Sequence, residues 1–212
     1  MRRAFVLIAA LALAGCVPAQ RAPVYSAESV GTGETIIVGR VELVPPLRKG
    51  EQRLNAIGTG SYENRMFLLT GERERALPVN PAVSDYADRI EATLGSHFFV
   101  RSRNSPFYIL GGVVFLEMGS GTSRAHFPGG LKVELEPGDR AVYIGTLRYH
   151  RDEFFEITRV TVVDEYGAAD AEFRKKFGNG VLLRKTLMTP AKRGTMVQRP
   201  GESRQPPAAS RQ

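Results

Sequence analysis

The chain has 212 residues, 42% of them hydrophobic and 24% charged, with a formal net charge of +7. That is ordinary globular usage, long enough for one domain with a packed core. Cys16 is the only cysteine, which excludes an intrachain disulfide. The chain opens with Met1-Arg2-Arg3 and an apolar, alanine-rich run over residues 4–14, closed by Leu13-Ala14-Gly15-Cys16. The run falls short of the roughly 20 residues that cross a bilayer. A short basic start followed by a short apolar stretch and small residues is the pattern of a secretory signal.

The tetrapeptide ending in Cys16 resembles the lipobox of bacterial lipoproteins. The resemblance implies cleavage before Cys16, a diacylglyceryl thioether on its sulfur and a third acyl chain on the new amino group. With the sulfur so occupied, no thiol is left for a nucleophile or a thiolate metal site. In proteobacterial lipoproteins an Asp after the cysteine favours retention in the inner membrane. Val17 stands there instead, which implies a cell envelope protein in the outer membrane, facing the periplasm. Loss of Arg2 and Arg3 with the signal peptide, residues 1–15, takes the net charge to +5. Five basic residues against Glu202 after Pro190 account for +4 of that. The high pI therefore belongs to the tail, and no nucleic-acid-binding face is expected.

Residues 16–33 read as the lipidated cysteine and a flexible tether of Pro, Ala, Ser and Gly, able to span roughly 50 Å. Glu34–Val44 reads as the first strand, with Ile37, Gly39, Val41 and Leu43 on one face and Ile36, Val38 and Arg40 on the other. Pro45-Pro46 ends it. Glu63–Thr70 is a second apolar run. Residues 80–94 carry Val83, Tyr86, Ala87, Ile90 and Leu94 at helical spacing behind Asn80-Pro81, and predict a helix.

From His97 the pattern is β: His97–Ser102, Phe107–Leu110, Val113–Met118, Lys132–Glu136, Ala141–Arg148 and Phe154–Val163. Gly and Pro turns separate these runs. Residues 164–177 predict a second helix, capped by Asp164, with the apolar stripe Tyr166, Ala169, Phe173 and Phe177, basic residues in its last turn and Gly178 at its end. Val181–Met188 predicts a last strand. Residues 190–212 hold almost nothing apolar and read as a disordered basic tail. Its charges suit an anionic lipid surface.

The expected domain over 34–189 is mainly β, a single β-sandwich of about seven to nine strands with one or two short helices. Leu135–Gly145, the Asp-Glu start of the second helix, and Val38–Leu43 with Pro45-Pro46 resemble uncharacterised bacterial lipoproteins, some with a transthyretin-like or carboxypeptidase-regulatory-like sandwich. That resemblance implies the sandwich and no reaction.

The chemistry-bearing residues are sparse. His97, His126 and His150 have no short ligand spacing, so neither a metal nor another cofactor is expected. Ser120 in Gly119-Ser120-Gly121 lacks a nucleophile elbow. Gly31-Thr32-Gly33 and Gly58-Thr59-Gly60 lack the P-loop ending. The neighbours Asp152-Glu153 and Asp164-Glu165 point to opposite faces wherever the chain is extended, which argues against paired-carboxylate hydrolysis. Phe98, Phe99, Phe107, Tyr108, Tyr143, Tyr149, Phe154 and Phe155 read as core fillers rather than a ligand groove. The reading is a non-enzymatic module, held to the membrane by Cys16 and binding an envelope protein or glycan. The alternative is an envelope hydrolase that assembles His126 or His150 with Asp152 or Glu153 from distant strands.

Overall fold

The computed structural model describes residues 19–52, 55–56, 60–74, 88–103, 106–118, 121–192 and 197–198. In chain order the strands are β1 (Ala19–Gln20), β2 (Glu34–Val44), β3 (Asn55–Ala56), β4 (Gly60–Ser61), β5 (Arg65–Gly71), β6 (Asp88–Thr93) and β7 (His97–Arg103). Then come β8 (Phe107–Met118), β9 (Gly121–Val133), β10 (Ala141–Arg151), β11 (Ile157–Val163) and helix α1 (Tyr166–Phe177). Short strands β12 (Leu183–Lys185), β13 (Thr189–Pro190) and β14 (Val197–Gln198) follow.

Among the described residues the architecture is a β-sandwich with one α-helix laid on it. The first sheet has the order β1-β6-β5-β8-β9-β13. The second runs β14-β11-β10-β2-β7, with β12 also on β10, and β3-β4 form a small ribbon. Alternation decides which side chains meet between the sheets. In β2, Ile37, Val41 and Leu43 enter the shared core, with Met66 and Leu68 of β5, Ile90 of β6, Val114 and Leu116 of β8 and Tyr149 of β10. The opposite residues of β2, Ile36 and Val38, face α1 and bury Ala169 and Phe173. The helix is therefore held against the outside of the second sheet by the apolar stripe that the sequence predicts. Its C-terminus closes at Gly178, whose N–H donates to the Arg174 carbonyl at 2.8 Å. At its start the Asp164 carboxylate accepts the Tyr166 N–H at 3.1 Å.

Four expectations are corrected. Within the segment expected as a helix, residues 80–87 lie outside the described residues, and Asp88–Thr93 is strand β6, paired along β5. Ile90 and Leu94 are four apart, an even spacing that puts them on one face of a strand as readily as of a helix. Second, Phe107–Leu110 and Val113–Met118 are one twelve-residue strand. Gly111-Gly112 does not turn the chain: β9 pairs straight across it through a bulge. Gly129 allows this, because a Cβ there would stand 2.2 Å from the Leu110 carbonyl carbon.

Third, residues 19–33 are part of the fold rather than a free tether. β1 adds to the edge of the first sheet beside β6, and Pro23 then bridges Val100 at the edge of the second. The Val24 N–H donates to the Phe99 carbonyl at 2.8 Å, and Val24 and Val30 are buried. This strap covers the open side of the sandwich at β6 and β7 and removes two unpaired edges. Fourth, the segment from Pro190 is not wholly free. β13 pairs with β9 and β14 with β11, at the two edges opposite the strap. The chain after Gln198 lies outside the described residues.

Candidate functional site

The histidines are not brought together. Phe127 and Tyr149 point into the core, so their neighbours His126 and His150 point out of opposite faces of the sandwich. The His150 ring lies 3.1–3.2 Å from the Arg159 guanidinium. Burial, Arg159 and Arg148 hold its pKa below the ordinary value, and burial with Arg124 does the same for His126. His97 Nδ1 sits 2.6 Å from Glu172 on α1. Asp152 turns the β10–β11 hairpin, accepting the Phe154 and Glu156 N–H groups at 2.8 and 2.9 Å. Among the described residues, no hydrogen bond or ion pair joins His126 or His150 to Asp152 or Glu153, and no three His, Asp or Glu side chains gather as a metal site. Cys16, Ser120 and residues 57–59 lie outside the described residues.

A second cluster lies where α1 begins. Arg40 and Arg148 face Glu42 and Glu165: Arg40 to Glu42 at 2.7 Å, Arg148 to Glu42 at 2.8 Å and Arg148 to Glu165 at 3.4 Å. The Thr146 hydroxyl donates to Glu165 at 2.7 Å. Two cations and two anions cancel and occupy one another. The cluster fastens the helix to the sheet and leaves no charge to recruit a ligand.

The open end of the sandwich differs. There the β8–β9 hairpin, the β10–β11 hairpin and the loop after β2 enclose a cleft of about 670 Å³. Leu116, Ala125 and Phe155 supply apolar walls, and Glu117, Arg124 and Glu153 stand around them. Arg151 builds the structure beneath. Its side chain is 1% exposed and its guanidinium donates to the Pro45 carbonyl at 3.1 Å, the Pro46 carbonyl at 2.9 Å and Glu51 at 2.8 Å. It also lies 4.0 Å from the centre of the Phe155 ring, a cation–π contact. Phe155 takes a left-handed φ of 64°, an uncomfortable conformation for an aromatic residue. That backbone turn places Phe155 inward under Arg151 and leaves Phe154 outward, 77% exposed.

Glu51 is consumed by Arg151, whereas Glu117 and Glu153 are exposed and carry no ion pair among the described residues. The cleft therefore offers an apolar floor, an exposed aromatic ring and two carboxylates with unused acceptors. The sequence reading held Glu153 and Phe154 in view, as a candidate acid and a core filler. It passed over Glu117, Arg124 and Arg151. The available signal was two aromatic residues directly after Asp152-Glu153, where a hairpin tip should be polar. Most other aromatics are core, with Phe107, Tyr143 and Tyr149 at 1% exposure or less. No family model matches the chain, nor does any curated protein or solved structure.

Proposed function

We propose that this protein is a lipid-anchored, non-enzymatic binding module of the cell envelope. Its ligand is a protein segment that presents a cationic side chain beside an apolar or aromatic one. The observation that carries the reading is the tip cleft: buried Arg151 braces apolar walls, while Glu117 and Glu153, beside exposed Phe154, carry no ion pair among the described residues. A cation between those carboxylates, with an apolar neighbour on Leu116 and Phe155, would use both features at once. Anchoring rests on the residue 1–16 pattern, with lipid on Cys16 and Val17 favouring the outer membrane over the inner. The hydrolase reading loses support because His126 and His150 diverge and Asp152 is spent on a turn.

The test is fluorescence anisotropy with short labelled peptides. Peptides pairing Lys or Arg with Phe or Tyr are expected to bind, and their acidic counterparts are not. Glu117→Gln with Glu153→Gln should weaken binding about tenfold, which corresponds to about 1.4 kcal/mol. Equal binding of acidic and basic peptides, or none by either, would overturn the assignment.

A further inference from the structure

The strap changes what a lipid on Cys16 does. Only Val17 and Pro18 separate Cys16 from Ala19, the first residue of β1. Three residues of chain span at most about 11 Å, against the roughly 50 Å that a free tether over 17–33 would allow. The sheet also fixes where Ala19 lies. It pairs beside Asp88 in β6, and two residues later Arg21 is locked to Asp88 at 2.8 Å and to Ser102 at 3.0 Å.

Register then locates the cleft relative to this point. Ala19 aligns with Asp88, Asp88 with Thr70 and Thr70 with Ile109. Glu117, on the cleft, lies eight residues further along β8 and three strands across, about 30 Å away at ordinary strand spacing. Because β1 runs parallel to β6, Ala19 is the end of β1 remote from the cleft.

We propose that the anchor is a short leash, which seats the Ala19 end of the sandwich on the bilayer surface and turns the tip cleft toward the aqueous side. The lipid surface is then a second, fixed partner of the domain. It is met through the end formed by β1, the start of β6 and residues 72–74 after β5, and the cleft's own ligand is approached from the opposite direction. Among the described residues at that end, Glu72, Arg73 and the Glu74–Lys192 pair are of mixed sign and favour neither an anionic nor a cationic surface. The length of the leash does the work.

This inference rests on the lipid-anchor reading, and the experiment separates the two. The full-length lipoprotein is purified and the mass of its N-terminal peptide is measured. It is then reconstituted in phosphatidylethanolamine–phosphatidylglycerol vesicles containing nitroxide-headgroup lipid. Since acylation occupies Cys16, a single new cysteine carries the fluorophore, Arg73→Cys at the Ala19 end or Glu156→Cys at the tip. Quenching is expected to be several-fold stronger at position 73. A Gly-Ser insert of about twelve residues between Pro18 and Ala19 should erase the difference. Equal quenching at the two positions on the acylated protein, or a difference that survives the insert, would overturn the seating alone. An N-terminal peptide without lipid mass would overturn the anchor reading, and the seating with it.

Discussion

Arg21 and Arg151 sit at opposite ends of the sandwich, both nearly closed to water, with side chains 8% and 1% exposed. Arg21 joins the two sheets. It donates to Thr70 of the first at 3.0 Å and to Ser102 and the Arg101 carbonyl of the second at 3.0 and 3.2 Å, and pairs with Asp88. Arg151 works within one end, fastening the Pro45–Glu51 loop to the β10–β11 hairpin. Around Arg21 the polar groups are matched. Around Arg151 the brace is complete but the carboxylates above it are not. One buried cation closes the fold; the other holds a surface open.

The largest expected effect comes from breaking the first. Burial pushes the Arg21 pKa down and the Asp88 pKa up, each despite the attraction between them. The pair therefore contributes position more than net energy, but removing one member strands the other. Arg21→Ala should cost about 4 kcal/mol, read by urea denaturation, and should free the strap, read as faster amide exchange at residues 20–24. Asp88→Asn added to it should recover part of that loss. A cost below about 1 kcal/mol would show that the strap holds without its arginine.

Arg151→Ala should cost somewhat less, about 3 kcal/mol, because the loop it releases is local. Its distinctive result is loss of peptide binding with the strap still protected from exchange. Intact binding would mean that the cleft walls stand without the brace.

Acid should separate the two ends more gently. His126 and His150 have depressed pKa values in the fold, so below the ordinary value of about 6.5 the unfolded chain binds more protons. Stability is thus fully present above pH 6.5 and declines as the pH falls toward the folded values. Both residues lie on strands that reach the cleft, and among the described residues no hydrogen bond or ion pair joins the strap to a histidine. Between pH 7 and 5 amide exchange should rise in β9 and β10 before it rises at residues 20–24, and His126→Gln should flatten the loss. A flat melting temperature over that range would contradict this.

The smallest effect on stability is expected from Glu117→Gln with Glu153→Gln, within about 0.5 kcal/mol. Since neither carboxylate has an ion pair among the described residues, melting should barely move while binding of basic peptides falls. A large destabilisation would reveal a structural role for the two carboxylates.

Much of the fold was legible in order along the chain. Glu34–Val44 matches β2 end to end, and both faces were assigned correctly, because successive side chains of any strand point to opposite sides. The stripe from Tyr166 to Phe177 and the glycine behind it gave α1 for the same local reason. The strap was not legible. Its prolines, serines and polar residues resemble a linker, and they become ordered only because two sheet edges, far apart in sequence, offer hydrogen bonds to the same short segment. The cleft was half visible. Phe154 and Phe155 stood out as residues, but their opposite orientations depend on one left-handed backbone turn.

By itself the sequence determined the β character, the helix, the absence of a second cysteine and the basic-then-apolar run that precedes Cys16. These are properties of periodicity and composition, fixed by neighbours in the chain. Tertiary structure alone decided that residues 19–33 belong to the domain, that His126 and His150 diverge, and that Arg151 pairs with Glu51. Those outcomes depend on which distant strands lie side by side, because a hydrogen bond or an ion pair acts over a few ångströms of space regardless of how many residues separate its partners.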